Sequence, residues 1–285
     1  MKPKIDQKHI IITGGSGGIG KIISHKFLQL GDLVTLISRN IEHLKNTKEE
    51  FSKYSKSIHI LQADVSNHTH FSKIESFINS KLNKKVDVLI NAAGVYGPIG
   101  RLETTKANEW EETFKINVYG TVNMCRLIIP FMKKSNNGTI INFSGGGDGP
   151  FPNFTSYSAS KGAIIRFTES LASELIEFGI TVNAIAPGAV NTQLLDKVLK
   201  TSPDKVGKEF YEKSLIQKSS GGASPEKTAE LIALLASGYF GKLSGKILSS
   251  IHDDFQKIKT NSSQIINSDI YNLRRIKPTD KDFKW

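Results

Sequence analysis

Tyr157 and Lys161 stand four residues apart, thirteen residues after Ser144 and forty after Asn117. A tyrosine and a lysine at i and i+4 share one face of a helix, a few ångströms apart. An ammonium held there favours the phenolate, which predicts that the Tyr157 pKa falls from about 10 toward neutrality. A phenol tuned in this way gives a proton to, or takes one from, a substrate oxygen at physiological pH. Seven tyrosines in a lysine-rich chain produce such a pair by chance, so the weight rests on its neighbours.

The first of these neighbours is a turn near the start of the chain. An apolar run at 9–12 leads into Thr13-Gly14-Gly15-Ser16-Gly17-Gly18-Ile19-Gly20, and Ile22, Ile23, Phe27 and Leu28 follow on one helical side. Strand, glycine turn and helix bring backbone N–H groups and a helix N-terminus up to a pyrophosphate. The glycines Gly14, Gly18 and Gly20 follow G-x-x-x-G-x-G, not the more familiar G-x-G-x-x-G. At the end of the second apolar run stand Ser38 and Arg39, where an NAD site usually has an acidic residue for the ribose 2′-hydroxyl. A guanidinium there pairs a 2′-phosphate and stacks on an adenine ring, which favours NADP over NAD.

Elements must position these groups. Apolar strand candidates fall at 9–12, 33–38, 58–63, 86–91, 139–144, 181–186 and 246–249, with amphipathic helices between them. About seven short strands alternating with helices predict one α/β domain with a doubly wound parallel sheet. Functional residues then belong at strand C-termini, where Gly14, Asn91, Ser144 and Pro187 fall. Long helices are expected over 109–134 and 155–178, and a polar, helix-prone insertion over 193–222.

Taken together, Thr13-Gly14-x-x-x-Gly18-x-Gly20, Asn91-Ala92-Ala93-Gly94, Asn117, Ser144, Tyr157-x-x-x-Lys161 and Pro187-Gly188-x-x-x-Thr192 occur in order. The chain resembles the short-chain dehydrogenases/reductases of the compact, single-domain type, from about residue 9 to 248. The resemblance implies that Tyr157 is the general acid/base and that Lys161 also holds the nicotinamide ribose. It implies that Ser144 binds the substrate oxygen, and that Asn117 supports a water linking Lys161 to solvent. Asp64, followed by Val65, would accept from the adenine amino group, although it also reads as a helix cap. Asn91 would close the cofactor cleft, and Val190 and Thr192 would meet the nicotinamide carboxamide. The two long helices would make a homodimer or homotetramer, and the 193–222 insertion would cover the substrate.

Composition narrows the alternatives. The chain has 285 residues and 38% hydrophobic content, enough for one core. No stretch approaches the roughly 20 apolar residues of a membrane helix. The charged start predicts no signal peptide. The single cysteine, Cys125, reads as a small buried hydrophobe of a helix, and a cytoplasmic location is expected. The net charge of +11 is spread over lysines with only six arginines, so a nucleic-acid partner is not expected. His68 and His70 lack a third ligand nearby, so no metal is expected.

Two features depart from the family pattern. Gly145-Gly146-Gly147 follows Ser144, leaving backbone beside the substrate oxygen. Ser250-Ile251-His252-Asp253 replaces the usual Val-Asp-Gly-Gly, and residues 254–285 form an apolar-bearing C-terminal extension beyond a 1–253 domain. That extension is expected to be ordered and to lie near the insertion. Candidate substrates are sugar-derived ketones and 3-oxoacyl compounds. A dinucleotide-binding regulator without catalysis and an epimerase or dehydratase with a retained cofactor are the competing readings.

Overall fold

A computed structural model describes residues 7–146 and 149–281; the expectations for residues 1–6, Gly147 and the last four residues lie outside them. Seven parallel strands form one sheet: β1 (His9–Thr13), β2 (Leu33–Ser38), β3 (Ile58–Gln62), β4 (Val88–Asn91), β5 (Gly138–Phe143), β6 (Ile180–Ala186) and β7 (Ile247–Ser249). Their order is β3-β2-β1-β4-β5-β6-β7. The order reverses at β1, where Thr13 registers against Ile37 on one side and Asn91 on the other. Neighbouring strands therefore end together and leave a crevice above β1 and β4.

Ile10, Ile11 and Ile12 are fully buried, because a parallel sheet covered on both faces wants apolar residues at successive positions. One face packs under α1 (Gly18–Gln29), α2 (Ile41–Glu50) and α10 (Pro225–Ala236); the other lies under α3 (Phe71–Lys81), α5 (Gly120–Ser135) and α6 (Thr155–Leu175). Local sequence sets the helix starts. The Asn40 side chain accepts from the Glu42 and His43 N–H groups to open α2, and Ser224 caps α10 ahead of Pro225. The helix expected over 109–134 is a continuous rod of α4 (Ala107–Phe114), a π-helical turn over Lys115–Tyr119, and α5. The insertion folds as α7 (Gln193–Lys200), α8 (Pro203–Val206) and α9 (Lys208–Ser220). Among the described residues, no helix is long and apolar enough to cross a membrane.

The described part of the C-terminal extension lies on its own chain, with α11 (Phe255–Thr260) and α12 (Ser262–Ile266). It was expected near the insertion; hydrogen bonds that it makes run to β7 and α6. Ile258 and Ile265 join the core that holds Ile10 and Leu248. Beyond them the chain straps the β7 edge: the Ile247 N–H donates to the Tyr271 carbonyl at 2.9 Å. Lys246 donates to the Ser268 carbonyl and to Asn272, and Asn272 and the Leu273 N–H bond Glu169 of α6. The edge strand's polar groups hold the extension where it lies.

Candidate active site

One face of α6 carries Tyr157 and Lys161, and the end of β5 delivers Ser144 beside them. Ser144 leaves the strand one residue after Phe143, with its N–H donating to the Ile185 carbonyl at 2.9 Å. Ser144, Tyr157 and Lys161 are all buried and line one end of the crevice with Gly145, Pro187 and Thr192. The other end is lined by Gly14, Ser16, Gly17, Gly18, Ile19 and Gly20. A contiguous recess past Gly14 and Ser38 is lined by Arg39, Asp64, Val65, Ala93 and Gly94. Chain folding thus gathers residues from positions 14 to 194 into one groove.

The glycine turn depends on close backbone approach. Gly14 has φ +67°, and a methyl on it would stand 3.0 Å from the Ala93 backbone; one on Gly20 would stand 2.3 Å from the Gly14 carbonyl oxygen. Only hydrogen fits there. α1 then starts with neither a side-chain cap nor an acidic residue in its first turn. Its leading N–H groups and positive dipole end are left for an anion in the groove. With Arg39 farther along, the groove suits an extended, phosphate-bearing ligand.

Asp64 follows β3 and lines the recess with Arg39. Burial opposes its charge, but the Ser66 hydroxyl and N–H, with Arg39 and His70 near, hold its carboxyl below the usual range. His70 serves that loop, its Nδ1 accepting from the Asp64 N–H at 2.8 Å, while His68 lies edge-on to Phe71.

Asn91, Asn117, Gly188 and Val190 are not among the residues that line the groove and its recess. Asn91 is buried within the sheet, its Nδ2 donating to Asn142 at 2.9 Å and to the Cys125 sulfur at 3.5 Å. Burial pushes the Cys125 thiol up to about 12, so it is not a nucleophile. Gly188 and Val190 form the turn after β6, with Val190 bridged to Gly222. Asn117 braces two segments: it accepts from the Val95 N–H at 2.8 Å, donates to the Val95 carbonyl at 2.9 Å and donates to Ser160 at 3.0 Å. Ser160 in turn donates to the Tyr157 carbonyl at 2.7 Å.

The expected tuning of the phenol is corrected. The Lys161 ammonium donates to the Phe143 carbonyl at 2.7 Å and stands 5.7 Å from the Tyr157 ring centre. Burial, with the Tyr96 phenol beside it, pushes the Tyr157 hydroxyl above its ordinary value. The same burial lowers Lys161 to about 8. Desolvation outweighs the attraction of an ammonium turned toward a carbonyl.

The structure also brings in residues that spacing alone could not. His43, Phe143, Gln193 and Leu194 line the groove. Above Tyr157, Tyr96 packs edge-to-face at 4.6 Å between ring centres. Phe151, Phe154 and, from α9, Phe210 complete an aromatic cluster. Aromatic residues scattered over more than a hundred positions of sequence carry no period that would join them.

The short chain dehydrogenase family profile matches residues 8–203. A 3-oxoacyl-[acyl-carrier-protein] reductase of Thermotoga maritima is 28% identical over 246 residues, 86% of this chain and 96% of the relative. A 3-ketodihydrosphingosine reductase of Mus musculus is 31% identical over 254 residues, covering 86% of this chain and 71% of the relative. Among solved structures, ElxO with NADP bound superposes with TM-score 0.72 at 30% identity, covering 85% of this chain and 96% of that one. YwfH, an NADPH-dependent reductase involved in bacilysin biosynthesis, gives TM-score 0.76 at 25% identity, over 87% of this chain and 100% of that one.

Proposed function

This chain belongs to the short-chain dehydrogenase family, and on that premise we propose that it is an NADP-dependent oxidoreductase acting on a ketone or secondary alcohol, with Tyr157 as general acid/base. The observation that carries the reading is convergence. Ser144, Tyr157 and Lys161 share one end of a groove whose other end is the uncapped N-terminus of α1. Arg39 supports the phosphorylated cofactor, as do the similar proteins whose names specify NADP or NADPH.

When bound, the nicotinamide supplies the hydride to the carbonyl carbon. The remaining work belongs to the chain. Ser144 and Tyr157 hydroxyls donate to the carbonyl oxygen, where negative charge develops. Tyr157 releases its proton to that oxygen, so ketone becomes alcohol and the phenol becomes a phenolate. Lys161, cationic below about pH 8, steadies the phenolate. Asn117 holds the 95 loop against α6 and keeps the Tyr157 turn in place.

The same reading carries a cytoplasmic homodimer or homotetramer. The exposed Tyr119 on the α4–α5 rod supports a subunit contact there, which static light scattering tests. Catalysis is tested by following NADPH absorbance with a panel of ketones. Tyr157→Phe should lower kcat by about 10²–10⁴-fold while NADPH affinity stays close to wild type. Near-normal turnover by this variant would remove Tyr157 from its role.

A further inference from the structure

The turn after β6 supplies two residues, Pro187 and Thr192, to the groove end that holds Tyr157. Thr192 has two contacts there. Its hydroxyl oxygen accepts from the Leu194 N–H at 3.3 Å to open α7, and its methyl lies 3.3 Å from where a methyl on Gly18 would stand. The stance of this turn therefore decides how α7 and the glycine turn face each other across the groove. Between Pro187 and Thr192 comes Gly188, with φ +76°. A methyl on Gly188 would stand 2.6 Å from Ile251 Cγ1. Ile251 is the side chain against which the turn packs.

Ile251 belongs to the Ser250-Ile251-His252-Asp253 segment, where this chain departs from the family pattern, and that segment is pinned at several points. The Ser250 N–H donates to the carbonyl of Ala186, the residue before Pro187, at 3.1 Å. The Ser250 hydroxyl bonds Thr228 of α10 at 2.9 Å. The Ser249 hydroxyl oxygen accepts from the Ile251 and His252 N–H groups at 3.3 and 3.2 Å. The Asp253 carboxylate closes the loop by accepting from the Ser249 N–H at 2.7 Å. The same carboxylate accepts from the Tyr271 hydroxyl of the strap over β7. Tyr271 is held at φ +64°, a conformation that costs any residue with a side chain. In it the Tyr271 carbonyl takes the Ile247 N–H while the hydroxyl reaches Asp253, and these two bonds offset the strain.

We propose that Ile251 is a positioning residue for the turn that carries Pro187 and Thr192, and that the strap fixes Ile251 through the bond from Tyr271 to Asp253. The proposal rests on the reductase reading given above, which puts the nicotinamide at this end of the groove. A turn packed against a fixed side chain holds Pro187 and Thr192 in place before the nicotinamide arrives. A loosened turn has to be ordered as the cofactor binds, and that cost is read in affinity.

The test separates the two ends of the cofactor. NADPH spans the groove, whereas 2′,5′-ADP carries the adenosine and its 2′-phosphate but no nicotinamide. Both are titrated calorimetrically into the full-length protein. Ile251→Ala should weaken NADPH about tenfold and leave 2′,5′-ADP within about twofold of wild type. Ile251→Val should recover most of the loss, and Tyr271→Phe, which removes only the hydroxyl, should reproduce part of it. Asn272→Ala is the control: it loses melting temperature through the strap's other bonds and should keep both affinities. Melting temperatures show that each variant folds. NADPH binding that is unchanged in Ile251→Ala, or weakened equally with 2′,5′-ADP, overturns the positioning role and leaves the cofactor reading standing. A loss in Asn272→Ala as large as that in Tyr271→Phe, or no loss in Tyr271→Phe, removes the strap from the proposal. A wild type that binds neither nucleotide overturns the cofactor reading and the positioning role with it.

Discussion

Tyr157 and Lys161 answer to burial before they answer to each other. The unfolded chain keeps the Lys161 proton to its ordinary value of 10.5, the folded chain only to about 8. Between these values the unfolded state binds more protons, so stability from this site rises with pH. Below pH 8 the cost of burying the ammonium is fully present, about 3 kcal/mol. Lys161→Met should therefore melt higher than wild type at pH 7 while losing turnover, and its advantage should shrink from pH 8 to 10.5. An advantage unchanged across that range would show that the ammonium is not desolvated. Arg39 carries a separate prediction. Arg39→Asp removes the partner of a 2′-phosphate and adds a repelling charge, a swing on the order of a few kcal/mol. NADPH preference should reverse or vanish in competition kinetics. Unaltered preference would show that another group reads the phosphate.

At the scale of elements, the strap over β7 is the part that departs most from the family pattern. Lys246 is buried, and its acceptors are the Ser268 carbonyl and Asn272 Oδ1. Asn272 also donates to the Gly245 carbonyl at 2.7 Å and to Glu169 at 3.2 Å. Asn272→Ala leaves these groups short of partners, and each unsatisfied buried group costs about 1–3 kcal/mol. Thermal unfolding should show a loss of several degrees with NADPH turnover retained, because the strap lies on α6 and β7 rather than over the groove. Deleting residues 267–285 should cost more and expose the β7 edge to pairing with other chains. A truncated protein with the wild-type melting temperature and the wild-type mass in light scattering would show that the strap contributes nothing to the fold.

The whole molecule couples its groove to its stability, since the walls come from the ends of β1, β2, β4, β5 and β6 and from α6 and α7. A ligand that bridges them and binds only the folded state adds about 2.7 kcal/mol at a hundredfold excess over Kd. NADPH should raise the melting temperature, and NADH should need higher concentrations for the same rise; equal titrations would contradict the cofactor assignment. Much of this groove was legible in the residues alone. Runs such as Ile10-Ile11-Ile12 can only be buried strands, the glycine turn permits a backbone approach that no other residue allows, and i and i+4 place Tyr157 and Lys161 on one helical face. These are local rules, and local rules survive folding. Strand ends, by contrast, moved by a residue or two: Ser144 lies just past β5, and β4 starts at Val88. What the local rules could not supply was set by contacts between distant segments. Desolvation turned the expected shift of Tyr157 upward, because a pKa depends on everything that surrounds the group and not on one neighbour four residues away. Asn91 turned into the sheet because Asn142 and Cys125 offer it partners there. The strap found the open edge of β7 and the buried Lys246. The aromatic cluster joins positions 96, 151, 154 and 210, which no spacing relates, and only the chain's path through space packs them beside Tyr157.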